Sequence, residues 1–224
     1  MLTHQNLSQQ EINRKLFHLV ALLLPVGIFY APKFYFFQEW MSCFLLASLS
    51  IFMAGLEFFR FKFQSLQDTF HKIFKKLLRE NEKEKITGAT WYVIAAFICS
   101  LLFYGEPHIS FMTLFMFIVG DAAAAVIGLS MGKIKIGDKT AEGSLGCFIL
   151  CILTGIIIFP KMPLLLEAWH GYIPFRLIVS VSLIMTILEL IPIKLTKNLI
   201  LNDNVVVPII GGVSLKFLYP FFAG

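Results

Sequence analysis

Residues 109–146 read ISFMTLFMFIVGDAAAAVIGLSMGKIKIGDKTAEGSLG, and this stretch decides the fold. Its first part, 109–131, is an apolar run whose one charged residue is Asp121. A helix crosses a bilayer core in about 20 such residues, at about 1.5 Å of rise each. Its second part, 132–143, is a loop rich in Gly and Lys, and a new apolar run starts at Ser144. A carboxylate inside a membrane helix costs about 3 kcal/mol unless it is paired, which makes Asp121 a functional candidate.

Working outward from 109–131, apolar runs recur at 16–32, 39–59, 86–105, 144–160, 174–193 and 204–222. They predict an all-α, polytopic integral membrane protein: one membrane domain over 1–224 with about seven transmembrane helices. The connection at 105–109, Gly-Glu-Pro-His-Ile, reads as a tight turn. Composition agrees. Hydrophobic residues are 58% of the chain, charged residues 15%, and mean hydropathy is +0.79. A soluble domain is roughly a quarter charged, because water must wet its surface. Residues 1–15 are polar, and the first apolar run carries no small-x-small cleavage pattern, so it is expected to stay as an anchor.

The net charge of +5 could suggest nucleic acid, and charge placement argues against it. With seven spans, the N-terminus and the loops 60–85, 132–143 and 194–203 share one side. All but four of the 19 Lys and Arg residues fall there, the exceptions being Lys33, Lys161, Arg176 and Lys216. Positive residues favour the cytoplasm, so the N-terminus is expected inside and the C-terminus on the opposite side. The 60–85 loop places Phe63, Leu66, Phe70, Ile73, Phe74 and Leu77 at helical steps, with Lys72, Lys75, Lys76 and Arg79 between them. That is a basic amphipathic helix, suited to the headgroup layer or to folding back over the protein's own face. Cys147 and Cys151 are one helical turn apart and read as small residues at a helix contact; no cysteine spacing suits a metal or a disulfide.

Chemistry concentrates in 119–146. Gly120, Gly128 and Gly132 allow close approach to the backbone. Lys133, Lys135 and Lys139 supply positive charge. Gly137, Gly143 and Gly146 leave backbone N–H groups accessible, and Thr140 and Ser144 add hydroxyls near a helix start, where anions bind. Asp121, Asp138, Glu142 and Asp203 could hold Mg²⁺, which takes a few carboxylates together with phosphate oxygens. The same stretch also reads as tight helix packing beside a lysine loop that obeys charge asymmetry. Elsewhere Glu11, Arg14, Lys15 and His18 fall at helical steps, Glu189 lies inside a span, and Asn202-Asp203-Asn204 precedes the last one.

In order along the chain, these residues resemble the CTP-dependent polyprenol and lipid kinases: dolichol kinase, phytol kinase and the CTP-dependent diacylglycerol kinase. The family's Arg-Lys-x-x-His is matched by Arg14, Lys15 and His18, and its Ser/Thr-Gly-Ala-Thr by Thr87 to Thr90. Its central Gly-Asp-x-x-Ala…Gly…Gly-Lys is matched by Gly120, Asp121, Ala124, Gly128, Gly132 and Lys133. Its Lys-Ser-x-Glu-Gly-Ser appears as Lys139 to Ser144, its Glu-x-x-Pro as Glu189 to Pro192, and its Asp-Asn-x-x-x-Pro as Asp203 to Pro208. Leu129 stands where relatives often carry Arg or Lys, and Asn202 where an acid is usual. The central motif also looks like that of phosphatidate cytidylyltransferases.

The resemblance implies CTP as phosphoryl donor, Mg²⁺ or another divalent cation, and a lipid alcohol as acceptor. Asp121, Lys139, Glu142, Asp203 and His18 would be catalytic, with Asp121, Glu142 and Asp203 on the metal. Gly120, Gly128, Gly132, Lys133, Thr140, Gly143, Ser144, Arg14, Lys15 and Asn204 would bind the nucleotide. The alternatives are a CDP-lipid-forming cytidylyltransferase and a small ion-coupled transporter using Asp121 and Glu189. Partners expected are CTP, the lipid alcohol and the membrane, with no nucleic acid; the sequence leaves the oligomeric state open.

Overall fold

The computed structural model describes residues 14, 18–74, 85–191, 193 and 201–223. Helices α1 (Leu19–Lys33), α2 (Glu39–Lys62), α3 (Gln64–Phe74), α4 (Gly88–Leu102) and α5 (Pro107–Met131) lead to a two-residue hairpin, β1 (Lys135–Ile136) and β2 (Lys139–Thr140). There follow α6 (Ala141–Lys161), α7 (Pro163–Ala168), α8 (Phe175–Leu190) and α9 (Asp203–Ala223). Each of the seven apolar runs is a helix. Among the described residues, four (α2, α5, α6 and α9) are long and apolar enough to cross a membrane, while α1 and α4 are shorter apolar helices. The count of seven crossings is therefore not established by helix length, although the all-α membrane architecture is.

α5 lies at the centre, packed against α1, α4, α6, α8 and α9. Phe111, Met112, Leu114 and Met116 fill its middle, fully buried. Polar side chains also point inward: Ser110, Thr113 and Ser182 are wholly buried, and Thr113 Oγ1 donates to Pro208 O of α9 at 2.6 Å. The outside is apolar. Leu23 is 70% exposed, Ile51 73% and Phe44 64%. A soluble protein does the reverse, hiding such side chains from water. Here the apolar exterior is what lipid requires.

The α5–α6 contact is closer than ordinary side chains permit. A Cβ on Gly120 would sit 2.8 Å from Cys151 Sγ and 2.9 Å from Cys147 Sγ. Helix approach of this kind is the usual role of small residues in membranes. All four cysteines are free thiols.

Alternating helix directions give the bundle two ends. The near end gathers His18, Thr87–Tyr92, Lys139, Glu189 and Asp203, as their mutual contacts show. At the far end, Glu39 Oε2 accepts Gly105 N–H at 2.9 Å, Lys216 pairs with Glu106, and the rings of His108 and Trp169 meet edge to face. Gly105 has φ 82°, and the turn at 105–109 is closed by Glu106 N–H on Phe103 O at 2.9 Å. α3 meets α2 through Phe70, whose ring centroid is 5.1 Å from the Arg60 guanidinium, while Phe63, Leu66 and Ile73 stay exposed. Lys75, Lys76, Leu77 and Arg79 lie outside the described residues.

Candidate functional site

Lys139 is the hub of the near end. The hairpin pairs Lys135 with Thr140 and Ile136 with Lys139. Gly137, with φ 62°, opens the turn, a position that hairpins of this length reserve for glycine. The reversal returns Lys139 to the bundle, where Nζ lies 2.7 Å from Glu189 Oε1 of α8 and 3.0 Å from Asp203 Oδ2 of α9. It also donates to the Glu189 carbonyl. Burial alone would pull its pKa down; the Glu189 and Asp203 carboxylates outweigh burial and hold it above the ordinary lysine value. One ammonium thus ties three separate stretches of chain together.

Asp121 lies deeper, 7% exposed, and its Oδ2 accepts the Tyr92 hydroxyl of α4 at 2.7 Å. The His18 ring meets Tyr92 edge to face at 5.1 Å. One turn earlier on α4, a Cβ on Gly88 would come within 3.2 Å of His18 Cε1 and 3.8 Å of Asn204 Nδ2. A larger residue there would press on the His18 ring. Tyr92 feels the charges of Asp121, Asp203 and buried Arg14, and Glu189 feels those of Lys139, Asp121 and Asp203. His18, Arg14, Asp121, Lys139, Asp203 and Asn204 are therefore brought into one neighbourhood.

The remaining candidates lie around the start of α6. Thr140 caps that helix: its Oγ1 accepts Gly143 N–H at 3.1 Å, and Ser144 Oγ donates to Thr140 O at 3.2 Å. A Cβ on Gly128 would lie 2.8 Å from Thr140 Oγ1, and one on Gly143 2.6 Å from Ala124 O. These glycines serve a helix seam, and Gly143 N–H is already engaged by the cap. Gly132 closes α5 where Thr140 also presses on it, and Lys133 is exposed. Both oxygens of Glu142 accept Ile134 N–H, each at 3.2 Å, so Glu142 braces the loop rather than contacting Asp121. Leu129 is exposed. Lys15 and Pro192 lie outside the described residues.

Among the described residues no three of His, Cys, Asp and Glu form a cage for a metal. Mg²⁺ does not need one, since one or two carboxylates and phosphate oxygens suffice. The near end fits that requirement: Glu189 Oε2 is buried without a hydrogen-bond partner among the described residues, beside the Asp121 and Asp203 carboxylates. An acceptor left open there is costly unless a cation, a proton or water meets it.

Two partners escaped the sequence. Tyr92 gave no signal, because a tyrosine near the end of an apolar run reads as an interface anchor. Glu57 and Arg60 form a buried pair on α2, with Arg60 Nε 2.8 Å from Glu57 Oε2. Glu57 lies inside the predicted span 39–59, and an intramembrane carboxylate was the clue.

No profile of a known protein family matches the chain, and no solved structure does. Individual proteins do. It is 27% identical over 218 residues to a probable chloroplastic phytol kinase of Triticum aestivum, covering 93% of this chain and 67% of that one. It is 28% identical over 219 residues to a probable phytol kinase 1 of Glycine max, with the same coverage, and 26% identical over 216 residues to phytol kinase 1 of Arabidopsis thaliana, covering 93% and 66%. Each of these plant relatives is about half as long again as this chain. Motif order, helical plan and similarity along nearly the whole chain agree: this protein is similar to phytol kinases over 93% of its length.

Proposed function

We propose that the protein is a membrane-embedded kinase that transfers the terminal phosphoryl group of CTP to a lipid alcohol. The observation that carries the proposal is the convergence of Arg14, His18, Tyr92, Asp121, Lys139, Glu189 and Asp203, drawn from six stretches of the chain, at one end of an otherwise apolar bundle. Phosphoryl transfer needs little more from a protein than alignment and charge, which such a cluster supplies.

Lys139 and Arg14 would neutralise phosphate oxygens, with exposed Lys133 at the loop edge. Asp121 and Asp203 would hold Mg²⁺, with Glu189 Oε2 beside them. The chemistry such a cation would supply is positive charge against that developing on the leaving group. Tyr92 fixes the Asp121 carboxylate through its hydroxyl. The acceptor chain would lie in the open apolar groove of about 440 Å³ along Leu19, Val20, Leu22, Leu23 and Val26, which begins next to His18. Its hydroxyl then reaches the near end at headgroup depth. The alcohol oxygen bonds to the γ-phosphorus as the bond to the β–γ bridging oxygen breaks. CDP leaves, and His18 or Asp203 takes the hydroxyl proton.

Purified protein supplied with CTP labelled at either the α- or the γ-phosphate, phytol-like, polyprenol and diacylglycerol acceptors, and Mg²⁺ tests the reading. Label from the γ position is expected in the lipid. Label from the α position would make the enzyme a cytidylyltransferase. No nucleotide-dependent product, together with ion flux in liposomes, would point to a transporter.

A further inference from the structure

The proposed site leaves unused a buried, hydrogen-bonded ion pair. Glu57 and Arg60 are 5% and 3% exposed, one turn apart on α2. Glu57 Oε1 accepts Thr87 N–H at 2.9 Å and the Thr90 hydroxyl at 3.1 Å, while Oε2 takes the Arg60 guanidinium. Arg60 Nη2 donates in turn to Lys85 O at 2.8 Å. Phe61 and Phe70 lie over the guanidinium, with centroids 4.5 and 5.1 Å away. Thr87 precedes α4 and makes no side-chain cap of its own. The helix is instead capped by a carboxylate from a different helix, where negative charge is favoured.

The position of this cap matters. Gly88, between the two clamped threonines, meets His18 and Asn204, and Tyr92, half a turn beyond Thr90, holds Asp121. A slip of α4 by one residue would turn Tyr92 through about 100° and away from Asp121. Apolar contacts between α2 and α4 do not choose between such registers, whereas a carboxylate on α2 held by two donors at the start of α4 does.

We infer that Glu57 and Arg60 are positioning residues for the near-end site: they fix the register and entry of α4, and through Tyr92 the orientation of Asp121. The inference rests on the kinase reading for its kinetic consequence but not for its structural one. Glu57→Gln keeps the acceptor oxygen and loses the charge. Thr90→Val removes the hydroxyl that bonds Glu57 and Thr87 but leaves the Glu57–Arg60 pair, and is the variant to use if Glu57→Gln does not fold.

In the purified full-length protein, hydrogen exchange at the amides of residues 87–92 is expected to rise at least tenfold in Glu57→Gln, with exchange at 109–118 of α5 unchanged. With CTP and a lipid alcohol, kcat is expected to fall about 10- to 100-fold while KM for the nucleotide moves less than twofold. Glu57→Gln combined with Tyr92→Phe should be no slower than Tyr92→Phe alone, since the first acts through the second. Unchanged exchange at 87–92 would overturn the inference, as would losses that multiply in the double variant. If wild-type protein proves to have no kinase activity, the kinase reading fails, and the exchange result alone decides whether the clamp exists.

Discussion

The two ends of the bundle handle charge differently. At the far end Glu106 and Lys216 meet at the surface, beside a small cavity of about 140 Å³ lined by His108, Trp169, His170 and Tyr219. Aromatic rings dominate: Trp169 packs edge to face on Tyr219 at 4.6 Å. At the near end carboxylates go inside, each shared between separate elements of the fold. Asp121 joins α5 to α4, Glu189 joins α8 to the hairpin, and Glu57 joins α2 to α4. An exposed pair contributes little to stability, and a buried one is costly to break. The far end is therefore built as an interface anchor, and the near end as a place where misplaced charge is penalised.

The largest test of this contrast is catalytic. Asp121→Asn and Lys139→Ala are each expected to lower turnover about 100- to 1,000-fold while the protein still inserts and purifies as a folded species. Near-normal kinetics in both would remove the near end from consideration. Stability comes next. Lys139→Ala leaves Glu189 unpaired and should cost about 2 kcal/mol, less than a fully buried pair would, because the lysine side chain is 30% exposed. Adding Glu189→Gln should restore most of the lost Tm without restoring turnover; a double variant as unstable as the single one would contradict the pairing.

Gly120→Ala sharpens the packing side of the comparison. Its methyl group would press on both cysteine sulfurs. A cost of about 1–3 kcal/mol is expected, relieved when Cys147 and Cys151 are also replaced by Ala. No relief would mean that the seam is not set by the thiols. At the far end, Lys216→Ala should change stability by less than about 1 kcal/mol and leave turnover untouched. A larger loss would erase the distinction between the ends.

The smallest expected effect is a null with a definite sign. The pKa of Lys139 is raised on folding, so its stabilising contribution is fully present below the unfolded value of about 10.4 and is lost only as pH rises through the higher folded value. Between pH 6 and 9 the ammonium should add no slope to the difference in Tm between wild type and Lys139→Ala. A difference that shrinks toward pH 9 would show that the carboxylates do not hold the charge.

The fold was legible because hydropathy reports lipid contact directly. The runs 109–131 and 204–222 match α5 and α9 to within two residues at each end. The hairpin at 135–140 was not legible, since two-residue strands carry no periodicity, although Gly137 was in place for the turn. In the site, Asp121 was visible as a charge inside a span, and Lys139 and Asp203 through the motifs that contain them. Their partners were not. That Tyr92 reaches Asp121, or that Lys139 chooses Glu189, depends on the relative rotation of helices, and local sequence does not encode it. Gly128 and Gly143 were visible as small residues, but whether a glycine faces a ligand or another backbone is decided by tertiary contact alone.

The near-end cluster also constrains how the protein is made. Its members run from Arg14, ahead of the first apolar helix, to Asp203 and Asn204 at the start of the last. A chain emerging from a ribosome can insert α1 to α8 and still hold Lys139 against Glu189 alone, with half of its partnership missing. The cluster is complete only once Asp203 and Asn204 of α9 have joined it, so a protein cut short before that helix carries almost every motif yet lacks the second carboxylate that holds Lys139.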